Sequence, residues 1–246
     1  MASRFEISPE RYRALTMAAL LALAAIIVTG AGVRLTGSGL GCSDWPTCEQ
    51  DQFVADLEFH PMIEFGNRLI TGLVSVAVIL AVLGAQGRRP YRRDLSWWAW
   101  GLVAGVIAQI VLGMLVTKTE LDPRVVIGHF LLSMVLVWNA VVLHHKAGSA
   151  SRPYSRPSGA PDGTASEMAA NQRIASLRLT QVSLAVQTAA VGVLVGGTIV
   201  TGSGPHAGST EDEPVERLPF AVSEVARIHT AFVYLLLALV LVFAWM

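Results

Sequence analysis

Two histidines lie inside long apolar stretches, His129 in "VIGHFLLSM" and His229 in "RIHTAFVY". An imidazole in hydrocarbon is costly unless it is paired, lines a cavity or binds a metal, so position alone makes each a functional candidate. Both sit near the start of a stretch that enters from the same side, which places them at similar depth. Histidines at a shared depth on neighbouring helices can hold heme, with imidazole nitrogen on the iron. The competing reading for each is an interhelical hydrogen bond. Glu64 and Asn67 in "IEFGNRLITG" are three residues apart and share a helical face near the same boundary. A carboxylate there could shuttle protons toward a reactive iron, or serve only as a helix-start acid favoured by the dipole. Arg34, Arg68 and Arg227, near that boundary too, could snorkel or pair with porphyrin carboxylates. His144 and His145 at the far end of the His129 stretch, and His60 and His206 in loops, read as ordinary interfacial polar residues. Both cysteines of the chain, Cys42 and Cys48, fall in the Gly-rich segment "GSGLGCSDWPTC".

The elements that must carry these residues are membrane helices. Of the 246 residues 53% are hydrophobic and 15% charged, and the apolar ones concentrate at 15–33, 69–85, 97–116, 125–143, 179–200 and 231–246. Most of these runs approach the length of a helical bilayer crossing. The expected fold is all-α, a polytopic membrane helix bundle with six transmembrane helices. The first run is too long for a secretory h-region and lacks a small-residue cleavage site, so it reads as a retained helix. Zero net charge hides an asymmetry: alternate segments (the N-terminus, "GRRPYRRD" and 146–178) hold 12 of the 18 Lys and Arg, while the opposite segments hold 13 of the 18 acids. The positive-inside rule then predicts a multi-pass protein of the plasma (inner) membrane with a cytoplasmic N-terminus. Cys42 and Cys48 face the oxidising side, where a disulfide can persist; two free thiols at the interface are the other reading.

Residues 146–175 are rich in Pro, Gly, Ser and Ala and poor in large apolar side chains, and read as a flexible cytoplasmic linker. The linker divides a four-helix half, 1–145, from helices 5 and 6 in 176–246. A repeat supports this division: "AGVRLTGSG" at 31–39 returns as "GGTIVTGSG" at 196–204, an offset of 165 residues. The offset carries Asn67 to within three residues of His229, making the two equivalent positions. It carries His129 beyond Met246, so the second half is expected to be only half present.

In their order along the chain, "GAGVRLTGSGLGCSDWPTC", "IEFGNRLITG", "GHFLLSM" and "RIHTAFVY" resemble the heme A synthase family. The resemblance implies two pseudo-symmetric four-helix halves and oxidation of the C8 methyl of heme O to the formyl group of heme A, for use in terminal oxidases. It implies heme O as substrate between helices 2 and 4 and heme b as cofactor between helices 6 and 8. Glu64 matches the family acid, His129 and His229 match iron ligands, and Cys42 with Cys48 match a cysteine pair that is bonded in many members. Two departures stand out: Asn67 replaces the helix 2 histidine, and helices 7 and 8 are missing. An amide offers iron no comparable lone pair, so His129 would hold the substrate iron alone, one face open with Asn67 and Glu64 beside it. The cofactor half is expected to hold heme b loosely, and catalysis to be impaired, unless another chain completes the bundle. Implied partners are the lipid bilayer, heme O synthase, an electron donor and a second copy in a homo-oligomer, with no nucleic acid. The alternatives are a non-catalytic heme b electron-transfer protein, a thiol oxidoreductase, disfavoured without a second cysteine pair, and a repeat-built transporter.

Overall fold

The computed structural model describes residues 6–49, 54–149, 162–205, 208–210 and 215–246, with side chains of 162–176 left aside. Its elements are six helices: α1 (Pro9–Leu35), α2 (Phe59–Gly87), α3 (Arg93–Lys118), α4 (Pro123–Gly148), α5 (Asp162–Ser203) and α6 (Val222–Trp245). Each contains a segment long and apolar enough to cross a membrane. At a rise of about 1.5 Å per residue, even the 24 residues of α6 exceed the ~30 Å of a hydrocarbon core. The expected all-helical membrane bundle is therefore what the chain forms.

Local chemistry sets the helix starts. Ser8 caps α1 by accepting the Arg11 N–H at 3.3 Å, and Asp122 caps α4 by accepting the Arg124 N–H at 2.8 Å. A proline follows each cap, its fixed φ suited to the first helical position. α5 begins at Asp162, inside the stretch that composition reads as linker; the Ala, Glu, Met and Gln residues there are good helix formers. Residues 150–161 of that stretch, like His206 and the acidic run at 211–214, lie outside the described residues.

The chain forms two compact units, one of residues 1–150 with 204–218 and one of 151–203 with 219–246. In the first, α1 packs on α2 and α4, and α3 packs on the same two, so that α2 and α4 lie diagonally opposite, without close backbone approach. Its apolar core gathers at the end where α1 begins, around Tyr12, Leu23, Val78, Leu95, Leu102, Leu136 and Leu143. Toward the cysteine loop the packing changes. No residue at 24–35 of α1, 65–73 of α2, 107–118 of α3 or 124–135 of α4 is fully buried.

Glycines report the same division. A Cβ at Gly84 would lie 2.8 Å from a Leu15 methyl, one at Gly101 would lie 2.7 Å from the Asn139 amide, and one at Gly105 would run into Leu136. At Gly30, Gly32, Gly66, Gly72 and Gly128, all in the loop-side half, it would meet nothing within 4 Å. The second unit is a pair of helices, α5 against α6, in close approach where Gly192 meets the Phe232 ring and Gly196 and Gly197 meet His229.

Gly105→Val should therefore lower the stability of the purified protein by about 1–3 kcal/mol, because buried Leu136 has no space to yield. Gly30→Ala should cost nothing, and can gain up to about 1 kcal/mol from helix propensity. Thermal unfolding in detergent distinguishes the two; equal losses would mean that the bundle is packed alike at both ends.

Candidate functional site

The loop between α1 and α2 is built by close backbone approaches. Gly37 has φ +67°, a left-handed conformation natural to glycine, and Gly41 lies so near the start of α2 that a Cβ would sit 2.5 Å from the His60 carbonyl oxygen. The Gly39 N–H donates to the Gly208 carbonyl at 2.7 Å, tying the loop to the segment that follows α5. Buried Ser38 pairs its hydroxyl with His60 Nδ1 at 2.9 Å. His60 stands in the first turn of α2 rather than in the loop where sequence placed it, because the helix starts at Phe59.

Cys42 and Cys48 are joined as a disulfide and are almost fully buried. Beneath them lies Glu64, 7% exposed. Its Oε2 accepts the Cys42 N–H at 2.8 Å, and its Oε1 accepts Arg68 Nη2 at 2.6 Å. Arg68 uses its other terminal nitrogen, Nη1, to donate to the carbonyls of Asp44 at 2.7 Å and Thr47 at 2.9 Å. One ion pair on a single helix face, at positions i and i+4, thus closes over three backbone groups of the cysteine loop. Burial makes this geometry necessary: an ion taken out of water must have its lone pairs and protons satisfied.

Asn67, one turn below Glu64, accepts the Thr29 hydroxyl of α1 on Oδ1 at 2.8 Å. On α4, His129 lies beside Gly113 of α3, whose Cβ would sit 3.6 Å from the ring. Its Nδ1 is buried with no hydrogen-bond partner among the described residues. An orphaned buried nitrogen costs about 1–3 kcal/mol and calls for a further group to satisfy it. Gln109 of α3 donates to the His129 carbonyl at 3.1 Å and also to the Ser133 hydroxyl, fixing the turn of α4 that carries the histidine. Sequence reasoning passed over Gln109, although an amide in an apolar span was signal enough.

In the second unit His229 Nδ1 lies 3.1 Å from the Val193 carbonyl of α5. The carbonyl can only accept, so Nδ1 carries the proton and the Nε2 lone pair remains for another group. Arg227, an exposed residue, donates to the Ser223 carbonyl within its own helix. His144 and His145 lie in the last turns of α4, at the other end of the first unit. The described residues include no cluster of three or more His, Cys, Asp or Glu able to hold a bare metal ion.

Arg68→Leu should open the cysteine loop. It removes charge-assisted hydrogen bonds of about 1.5 kcal/mol or more each and leaves Glu64 buried without its counter-charge. Reduction of the Cys42–Cys48 bond by an added thiol should then accelerate about tenfold or more, read by alkylation and mass spectrometry. A rate equal to that of the unaltered protein would mean that Arg68 does not hold the loop.

Residues 13–204 match the family model described as cytochrome oxidase assembly protein. The chain is similar to the heme A synthase of Geobacillus thermodenitrificans, 31% identical over 106 residues, which are 42% of this chain and 32% of that protein. It is also similar to the heme A synthase of Oceanobacillus iheyensis, 28% identical over 110 residues (43% of this chain and 35% of that protein). To the heme A synthase of Listeria welshimeri it is 29% identical over 126 residues, 50% of this chain and 41% of that protein. The chain thus spans about a third to two fifths of the length of these curated relatives. No solved structure matches it. With a match that runs from the first helix through the cysteine loop and the histidine of α4 to the end of α5, the chain belongs to the cytochrome oxidase assembly protein family, that of the heme A synthases.

Proposed function

We propose that this chain acts as a heme A synthase-type membrane oxidoreductase, converting the C8 methyl of heme O to the formyl group of heme A for terminal oxidase assembly. The observation that carries the reading is His129: a half-buried imidazole whose buried Nδ1 has no protein partner among the described residues, on a stretch of α4, 124–135, that buries no residue fully. A porphyrin is a broad, apolar plate with a metal at its centre and suits such a place, where α2 and α4 stand apart across the bundle.

In this reading heme O is the substrate and His129 binds its iron from α4. Gln109 and Ser133 hold the His129 turn in register. Asn67 lies on the opposite helix and leaves the second iron face without an imidazole; its amide is oriented by Thr29. Glu64 is the acid of the site, and its contacts give it a second task, holding the disulfide loop as a roof that keeps water from the substrate. Heme b, when bound, would supply a redox-active iron for electron transfer. His229 suits it: the proton on Nδ1 is engaged by Val193, Nε2 remains for iron, and Gly196 and Gly197 make room for the ring. The excess of basic residues in alternate segments supports a cytoplasmic N-terminus and an outward-facing roof, in the plasma membrane. Heme O synthase as supplier, an electron donor and a second copy of the chain complete the proposed set of partners.

The test is expression in a host that makes heme O, purification in mild detergent, absorption spectra, and chromatography of the extracted hemes. The expected result is a Soret band and formyl-bearing heme, both dependent on His129. Heme bound without formyl product would favour the electron-transfer alternative, and failure to bind heme even on reconstitution would overturn both. Gln109→Leu should weaken heme binding about tenfold by releasing the His129 turn. Asn67→His should lower turnover by closing the second iron face; unchanged turnover would remove Asn67 from the site.

A further inference from the structure

At the end of the first unit remote from the cysteine loop, α1 and α4 border a cleft of about 380 Å3 that the chemistry above does not use. Arg13, His144 and His145 line it together with Ser149, while Leu20 and Val141 form its apolar wall. No acid lines it. Arg68, Arg89 and Arg92 pair with carboxylates, but Arg13 pairs with none among the described residues. The sequence from 146 to 161 likewise contains no Asp or Glu.

The usual partner for a basic side chain at this place is the exposed C-terminus of a helix. Here Arg92 already meets it, donating from Nη1 to the Lys146 carbonyl at 2.8 Å and the Ser149 carbonyl at 2.9 Å. Ser149 serves the His145 carbonyl through both its N–H and its hydroxyl. Arg13 is thus left with its charge uncommitted. His144 is held differently. The single Thr16 hydroxyl proton is donated to the Arg13 carbonyl at 2.8 Å, so Thr16 must accept from His144 Nδ1 at 3.0 Å. That fixes the proton on Nδ1 and leaves Nε2 as the other polar edge of the ring.

We propose that this cleft binds the phosphate group of an anionic phospholipid, with Arg13, His144 and His145 around the headgroup and an acyl chain along Leu20 and Val141. The guanidinium fork matches phosphate geometry, and a ring N–H of His145 can donate to a remaining oxygen. The order of the lining separates a lipid from free phosphate. Leu20 lies about two helical turns deeper than Arg13, roughly 10 Å, and Val141 about one turn deeper than His145, so Arg13 and His145 stand at the rim and the apolar wall leads into the hydrocarbon.

The experiment uses the full chain in mild detergent, titrated with phosphatidylglycerol, phosphatidylcholine or inorganic phosphate. Bound lipid is read by native mass spectrometry and protection by the thermal midpoint. Phosphatidylglycerol should be retained and should raise the midpoint, while the other two should do neither at the same concentration. The double variant Arg13→Gln/His145→Gln, altered at two exposed positions, should lose about tenfold in phosphatidylglycerol affinity. Arg11→Gln removes a charge from the same helix but not from the cleft, and should leave affinity unchanged. Equal loss in Arg11→Gln would overturn the site in favour of general surface attraction. Equal protection by inorganic phosphate or by phosphatidylcholine would overturn the anionic lipid as its ligand.

Discussion

A carboxylate buried at a membrane boundary must have both oxygens satisfied, and in this protein that requirement organises the region around it. Glu64 meets it with one loop N–H and one guanidinium, and the guanidinium in turn captures two loop carbonyls. The cysteine loop is therefore attached to α2 through its backbone, with the disulfide closing the same small ring of residues. Because Asn67 follows one turn below Glu64, fixing this clasp also fixes the depth at which the α2 amide stands in the bundle.

Beneath the roof the bundle divides by packing. Where α1 begins, large apolar side chains interlock and glycines admit close contacts that no Cβ would allow. Below the loop the helices bury no residue fully, and polar side chains reach across instead: Thr29 to Asn67, and Gln109 to the His129 turn. The tight end carries the apolar core of the unit, and the looser end carries its polar contacts between helices. This is the division expected of a bundle that builds a cofactor or substrate site from facing side chains. The proposed lipid cleft extends the logic to the other rim, where Arg13 is left over from helix capping.

Much of the candidate site was legible in the sequence because membrane burial makes polarity conspicuous. His129 and His229 stand out from their apolar runs, and Glu64 with Asn67 shows the spacing of one helical face. Less legible was what each group touches. Glu64, read as either a proton shuttle or a helix-start acid, gives one oxygen to the loop at Cys42 and the other to Arg68, and His60 is a helix residue paired with Ser38; the Cys42 and Ser38 contacts link positions 22 apart in the chain. Gln109 passed unnoticed because its partner turn lies on another helix.

By itself, then, the sequence determined the six apolar helices and the capped, proline-led starts of α1 and α4, since apolar length, caps and prolines are local properties of the chain. Only the tertiary structure decided which half of the bundle is tightly packed, which oxygens of Glu64 are spent, and which cations remain uncommitted. Those outcomes depend on how residues far apart in sequence satisfy one another's hydrogen bonds and volumes, and no local pattern encodes that matching.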